Sequence, residues 1–298
     1  MKDGSNNFLG SFTVDVEDWF HVLDCKRAPS IREWDKFSIR FDKSLIKILE
    51  ALDRFKVRGT FFWLGWLAER FPSLVKECYD AGHEIGSHGY GHVLAYKVGQ
   101  KNFRDDVSKG KKVLEEILGK EIVSFRAPGF GVKDKSLWAL EEIKKAGFLY
   151  DSSIFPGARS HGGIKGWVLG PHIVRTIYGD LFENPVSFVE ALGKRVCLFS
   201  GGYFRVTPPA VLKWGIKNVF SNSRPIVFLV HPREVDPGQP RLPLPFKRRI
   251  KTYIGLKGTL KKIEFLLHKV SFVPFKDLGE KLLGSGSMPI IDLKEFGF

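Results

Sequence analysis

Strand-like and helix-like segments alternate along the first half of this 298-residue chain, and the alternation limits the folds open to it. Short β-rich runs such as FLGSFTVDV and GTFFWLGW are followed by segments with apolar residues at helical spacing, such as DKSLIKILEALDRF. The pattern continues to about residue 155. Chains of this kind form a parallel sheet with helices outside it, as a barrel or as a doubly wound sheet. The sequence therefore predicts an α/β fold.

Five polar residues stand at the predicted carboxyl ends of different strands: Asp15, His88, Arg126, Asp151 and His231. In α/β folds with parallel strands, the active site forms at that end of the sheet. We therefore expect these five side chains to lie close to one another.

Acidic residues are crowded in TVDVEDWFH, where Asp15, Glu17 and Asp18 fall within four positions. Like charges this close raise one another's pKa unless a cation neutralises them. The stretch GSHGYGH adds His88 and His92, whose imidazoles can bind one ion, and its glycines allow a tight turn. Two histidines and one carboxylate leave coordination positions open, which is typical of a catalytic metal. If the acids are considered without the histidines, the simpler alternative to a metal site is that they are solvated side chains at the end of a strand.

Charge points to an anionic partner. The net charge is +14, and residues 247–269 carry many cations and one acid, Glu264. This segment is either a solvated helix face or a patch that rests on an anionic membrane leaflet. No recognised nucleic-acid-binding motif accompanies the charge, so we expect no nucleic-acid partner.

The cysteines favour a reducing compartment. Cys25, Cys78 and Cys197 are odd in number and form no CxxC pair, so we expect reduced thiols rather than a disulfide framework. No apolar run is long enough to span a membrane, and the opening MKDGSNNFLG lacks the apolar region of a signal peptide. The expected location is the cytoplasm, with the inner face of the membrane as a possible site of action.

Seven stretches in order along the chain carry a family resemblance: TVDVEDWFHV, TFFWLGWLAERFP, GHEIGSHGYGH, FRAPGF, YDSSIFP, GGYFRVTP and HPREVDPGQPRLP. The chain resembles the polysaccharide deacetylases of the NodB-homology group, carbohydrate esterase family 4. It is most similar to the subgroup found with bacterial exopolysaccharide and exosortase systems, including its C-terminal extension. The resemblance implies a distorted (β/α) barrel with fewer than eight regular strands over residues 1–243. Residues 244–298 would be a basic extension packed on the same domain.

The resemblance also implies a chemistry. The family removes acetyl groups from sugars with a divalent metal, usually zinc, held by Asp-His-His. By position, Asp15 matches the general base and Arg126 the arginine that tethers it, while His231 matches the general acid. His88 and His92 match the metal histidines. The implied partner is an acetylated glycan or a lipid-linked saccharide, and the sequence does not indicate an oligomeric state.

The chain departs from the family pattern in several places. Val16 follows Asp15 where a second aspartate is usual, so the third metal ligand is either Glu17, which shares a strand face with Asp15, or Asp18. The acid that orients the general-acid histidine has no clear match, and Asp151 is the candidate.

Aromatic side chains near the motifs are candidate platforms for sugar stacking, with core packing as the alternative: Trp19, Phe20, Phe130 and Tyr203. Two other functions stay open. One is hydrolysis of a small non-sugar amide, and the other is catalytically silent binding of a glycan.

Overall fold

The computed structural model describes residues 8–23, 25, 27–157 and 162–297. Its strands are β1 Leu9–Val16, β2 Thr60–Trp63, β3 Glu84–Ser87, β4 Ser124–Phe125, β5 Tyr150–Asp151, β6 His172–Thr176, β7 Gly179–Glu183, β8 Val189–Ala191, β9 Lys194–Val196, β10 Ile226–Val230, β11 Ser271–Phe272 and β12 Ile290–Asp292. Its helices are α1 Phe41–Arg54, α2 Gly65–Arg70, α3 Pro72–Asp80, α4 Ala95–Val98, α5 Gln100–Leu118, α6 Trp138–Lys145, α7 Gly201–Val206, α8 Pro209–Ser221, α9 Phe246–Tyr253, α10 Thr259–Leu267 and α11 Phe275–Leu283.

One large sheet organises the molecule, in the order β10-β1-β2-β3-β4-β5-β7-β6-β12. The first seven of these strands run parallel, and β6 is antiparallel to β7. β11 pairs with the start of β1. Over the described ranges the sheet does not close into a ring. The predicted α/β fold is therefore confirmed, with a mostly parallel central sheet.

The central strands are buried on both faces, as expected for a parallel sheet covered by helices. Every residue of β2 and β10 is buried, and in β1 only Leu9 is partly exposed. Helix α1 packs its Leu45, Ile48 and Leu52 into the same core. Burying one such side chain contributes roughly 1.5–3 kcal/mol, so the core holds the strand ends rigidly in place.

The local residue pattern predicts a strand over RVCLFSGGYF and an N-cap for α1 at Asp42, and both predictions are wrong. The run RVCLFSGGYF does not form one strand, because β9 ends at Val196 and α7 begins at Gly201. Asp42 is not the N-cap of α1. Arg40 occupies that position, and Asp42 lies in the first turn of the helix.

The C-terminal segment adds to the main sheet. β11 pairs with β1 and β12 pairs with β6, and the backbone N–H of Phe275 donates to the hydroxyl of Thr60 at 2.6 Å. The predicted boundary between residues 243 and 244 stays a prediction. Among the described helices, none combines the length and the apolar character needed to cross a membrane.

Candidate active site

The carboxyl ends of the parallel strands bring together the acids and imidazoles that the sequence placed there. Asp15 lies at the end of β1, while His88 and His231 directly follow β3 and β10. Asp15 Oδ2 lies 3.7 Å from His88 Nε2 and 3.9 Å from His231 Nε2. All three side chains are mostly or wholly buried.

One carboxylate oxygen faces three imidazoles, of which the most distant is that of His231, with its Nε2 3.6 Å from Glu17 Oε1. Glu17 Oε1 lies 2.9 Å from His92 Nε2 and 3.3 Å from His88 Nε2. His88 Nδ1 lies 2.7 Å from the carbonyl of Arg126, a contact that places the ring proton on Nδ1 and leaves Nε2 with a lone pair. This is the tautomer that a metal ligand requires.

The chemistry of the donors fits a divalent cation. Within the described residues, Glu17 Oε2 is a buried atom without a hydrogen-bond partner, and His92 Nε2 makes no well-aligned hydrogen bond although Glu17 Oε1 lies 2.9 Å away. Glu17, His88 and His92 can present their ligand atoms within 4.8 Å of one another. A second overlapping group, Asp15, Glu17 and His231, meets the same criterion. Two imidazole nitrogens and one carboxylate match the ligands that zinc prefers.

Electrostatics keep the shared carboxylate ionised. Burial alone would raise the pKa of Glu17, but the nearby His92, His231 and Arg233 hold it well below its ordinary value. Burial lowers the pKa of His92. Burial also disfavours the charged form of His88, but the charges of Asp15 and Glu17 raise its pKa above the ordinary value.

The glycine-rich loop sets the positions of the two histidines. Gly89 has a φ of +70° and His92 a φ of 55°, both in the left-handed region that only glycine adopts readily. The carboxylate of Asp106 on α5 accepts the backbone N–H groups of Tyr90 and Gly91 at 2.9 and 2.7 Å. Asp106 of α5 therefore stabilises the turn that directs His92 toward Glu17.

Arg126 is fully buried and reaches three groups. Its Nη1 donates to Asp15 Oδ1 and to the Thr13 hydroxyl, both at 2.8 Å, and its Nη2 donates to the Ser152 hydroxyl at 3.0 Å. The guanidinium fixes one Asp15 oxygen and leaves Oδ2 on the side of the imidazoles. The structure thus pairs Asp15 with Arg126, as the family resemblance implies.

Glu234, not Asp151, is the acid beside His231. Glu234 Oε1 lies 3.3 Å from His231 Nδ1. The prediction that Asp151 orients His231 is wrong: among the described residues the acid on His231 Nδ1 is Glu234, which the 3₁₀ turn over Pro232–Val235 carries. An acid at the third position after a histidine that ends a strand is the signal that could have identified Glu234.

Asp151 instead forms a buried carboxyl pair with Glu183, at the end of the neighbouring β7. Burial raises the pKa of Asp151 to about 6. Burial and the proximity of Asp151 raise the pKa of Glu183 well above its ordinary value. The Ser153 hydroxyl donates to Asp151 Oδ1, and the Ser153 backbone N–H donates to Glu183 Oε2.

Asp18 is not a metal ligand in this arrangement. Its Oδ2 accepts the backbone N–H groups of Arg40 and Phe41 at 2.8 and 3.2 Å, and its Oδ1 accepts that of Trp19 at 2.7 Å. The carboxylate therefore satisfies free N–H groups at the start of α1. Of the two candidate acids, only Glu17 contacts the histidines.

The stacking predictions fail for three of the four aromatics. Trp19, Phe20 and Phe130 are buried, and a platform for a sugar must be exposed. The indole N–H of Trp19 donates to the Ser38 carbonyl at 3.0 Å, as expected of a packed core side chain. Tyr203 is 51% exposed and remains available.

Two residues near Glu17 are not among the predicted catalytic or metal-binding residues: His21, and Arg233, for which the sequence suggests only an effect on the charge of the cleft. Arg233 Nη1 lies 3.5 Å from Glu17 Oε2. His21 is buried, and its Nδ1 accepts the Asp18 backbone N–H at 3.0 Å. Burial holds the pKa of His21 well below its ordinary value, so the ring is neutral. Neither residue carries a spacing signal in the sequence.

Comparison with known proteins supports the resemblance to polysaccharide deacetylases. Residues 35–149 match the family model for polysaccharide deacetylase, and residues 152–280 match a model described as a domain of unknown function (DUF3473). A peptidoglycan-N-acetylglucosamine deacetylase of Bacillus cereus is 36% identical over 97 residues, which are 32% of this chain and 35% of that protein. The chain thus matches only about a third of that relative's length.

Solved structures share the fold along nearly the whole chain. A structure from Mycobacterium smegmatis assigned to the polysaccharide deacetylases aligns with a TM-score of 0.64 and 22% identity, over 97% of this chain and 95% of that one. PuuE allantoinase aligns with a TM-score of 0.63 and 15% identity, over 93% and 90% of the two chains. At these identities the likeness concerns the fold. The match to the polysaccharide deacetylase family thus covers residues 35–149, and the solved structures extend the likeness of fold to nearly the whole chain.

Proposed function

We propose that this protein is a metal-dependent hydrolase that removes an acetyl group, in the first instance an N-acetyl group, from a polysaccharide or a lipid-linked sugar precursor. One observation carries the proposal. The Asp15 carboxylate is fixed by Arg126 at 2.8 Å and faces the Nε2 atoms of His88 and His231 within 4 Å. A base, an acid and a candidate metal site thus converge on one point.

Glu17, His88 and His92 are the residues that would hold the cation, and we propose zinc because of the ligand types. When bound, such an ion polarises an acyl carbonyl and lowers the pKa of water. Glu17 supplies negative charge at this position, and the burial of all three ligands excludes competing water.

Asp15 acts as the general base and takes a proton from the attacking water through Oδ2. Arg126 keeps the carboxylate correctly turned, because its charged hydrogen bond is stronger than a neutral one. His231 acts as the general acid and gives a proton to the sugar nitrogen as the C–N bond breaks. The products are acetate and a free amine. Glu234 positions the His231 ring through Nδ1.

The place of action is also a proposal. A lipid-linked or nucleotide-linked precursor at the cytoplasmic face of the membrane, made for an exopolysaccharide, agrees with the odd cysteine count and the net charge of +14. Arg233, which is partly exposed beside Glu17, favours a glycan with acidic groups.

Acetate release tests the proposal. Purified protein, reconstituted with zinc, is incubated with N-acetylated oligosaccharides, O-acetylated oligosaccharides and small amides such as allantoin. We expect acetate from an acetylated saccharide, and a loss of about 10²–10⁴-fold in Asp15→Asn. Asp180→Asn, the same change at an exposed site on β7, serves as the matched control and stays at the wild-type rate. Turnover of allantoin without acetate release would favour the small-amide alternative, and saccharide binding without turnover would favour the silent-binding alternative.

A further inference from the structure

Helix α9 lies on the surface with no buried residue along its length. Phe246 is 67% exposed, and Ile250 and Ile254 are each 45% exposed. These residues are spaced by four positions, so they form one apolar stripe along the helix and its C-cap. Large apolar side chains grouped on a surface mark an interaction site more often than single ones do.

Cations flank this stripe, and acids are absent from it. Lys247, Arg249 and Lys251 are all exposed. Residues 237–263 contain eight lysines and arginines and no aspartate or glutamate. We name the set Phe246, Lys247, Arg249, Ile250, Lys251 and Ile254 the α9 surface.

The opposite side of α9 is attached to the body of the protein. Arg248 Nη2 donates to the Leu23 carbonyl at 2.6 Å, and Arg205 of α7 donates to the carbonyls of Lys251 and Thr252 at 2.6 and 2.9 Å. The helix is therefore held in a fixed orientation, with its apolar and cationic side turned outward.

These attachments place α9 close to the candidate active site. Leu23 lies two residues after His21, whose carbonyl accepts from Arg233 Nη1 at 3.5 Å, and Arg233 lies beside Glu17. The exposed Tyr203 of α7 is a neighbour of α9, since its ring centroid is 6.0 Å from Lys251 Nζ.

We propose that the α9 surface docks the protein on an anionic lipid bilayer. A basic helix with aromatic and aliphatic side chains on its outer side lies in the interface of such a bilayer, with the apolar groups at the acyl boundary and the cations among the headgroups. An acidic polysaccharide would account for the cations but not for the apolar stripe between them. Each cation near an anionic surface changes partitioning by roughly fivefold.

Docking through α9 brings the segment after β1 close to the membrane surface, because Arg248 Nη2 donates to the Leu23 carbonyl. The next step rests on the proposed function. The substrate class is then a lipid-linked glycan, because the sugar of such a lipid projects from the headgroup layer toward the site. The docking itself does not depend on the reaction.

Vesicle co-sedimentation of the full chain tests the inference. The probes are phosphatidylcholine vesicles with and without phosphatidylglycerol. The charge variant is Lys247→Gln/Arg249→Gln/Lys251→Gln, and the apolar variant is Phe246→Ser/Ile250→Ser/Ile254→Ser. The matched control, Lys101→Gln/Lys112→Gln/Lys120→Gln, removes the same charge from exposed positions on α5 and just beyond it. All substituted side chains are exposed, so the fold is retained.

We expect wild type and the control to bind vesicles that contain phosphatidylglycerol. The charge variant should bind at least tenfold more weakly, and the apolar variant should lose the binding that persists at high salt. Three results would overturn the inference: an equal loss of vesicle binding in the control, no vesicle binding by wild type, or binding of wild type to an acidic polysaccharide but not to vesicles. Acetate release from soluble saccharides, measured on wild type, reports on the proposed function separately, so the two failures are distinguishable.

Discussion

The guanidinium of Arg126 and the carboxylate of Asp15 form a buried ion pair at 2.8 Å, and neither side chain is more than 4% exposed. The pair joins β1 to the end of β4 across two intervening strands of the sheet. A charge pair in this environment is costly to break, because the remaining partner is left buried and uncompensated. The pair therefore stabilises the strand ends and also fixes Asp15, the proposed general base.

Arg126→Gln tests this link. We expect the free energy of unfolding to fall by about 3–5 kcal/mol, because Asp15 loses its buried counter-charge. Acetate release should fall with it, since Asp15 is no longer held in place. Urea unfolding and an acetate assay at a temperature where the variant is folded measure the two effects. An unchanged free energy of unfolding would mean that water or another cation compensates Asp15.

Glu234→Gln tests the positioning of His231. The amide keeps the size and one acceptor of the carboxyl group but removes the charge that stabilises a protonated imidazole. Charged hydrogen bonds contribute about 1.5–3 kcal/mol, so kcat should fall about tenfold or more. KM and metal content should stay close to wild type. A change in KM alone would assign Glu234 to substrate binding instead.

Asp151→Asn tests the buried carboxyl pair. Burial raises the pKa of Asp151 in the folded protein to about 6, whereas the unfolded value is about 4. The folded state therefore binds more protons here, so wild-type stability falls as the pH rises from about 4 to about 6 and does not recover above that. The asparagine side chain does not ionise, so the variant does not lose stability over this pH range. Its amide N–H can donate to Glu183.

Urea unfolding from pH 4 to pH 8 provides the measurement. We expect the variant to match wild type near pH 4 and to exceed it by about 2 kcal/mol near pH 7. Asp180→Asn, at an exposed site, should show no such divergence. Parallel curves for wild type and Asp151→Asn would show that the pKa of Asp151 is not raised in the folded protein.

The meeting point of the site residues could be predicted from the sequence because parallel strands bring their carboxyl ends to one edge. Asp15, His88, Arg126 and His231 each follow an apolar run, and that position is readable without a structure. Strand alternation also favoured Glu17 over Asp18, and the structure places Glu17 beside both histidines.

Features that depend on packing could not be predicted in this way. Trp19, Phe20 and Phe130 sit beside catalytic-type motifs, but only the folded core decides whether an aromatic ring is buried or exposed. Glu183 lies on β7, whose place beside β5 follows from the topology of the second half of the chain and not from any local pattern.

Metal content per chain tests the central claim most directly. Wild type, Glu17→Gln, His88→Ala and Asp18→Asn are reconstituted with zinc, dialysed and analysed by mass spectrometry for bound metal. The account predicts close to one ion per chain in wild type and Asp18→Asn, because Asp18 serves the start of α1, and a large loss in Glu17→Gln and His88→Ala. Equal and negligible metal in all four proteins, or a loss in Asp18→Asn with full retention in Glu17→Gln, would contradict it.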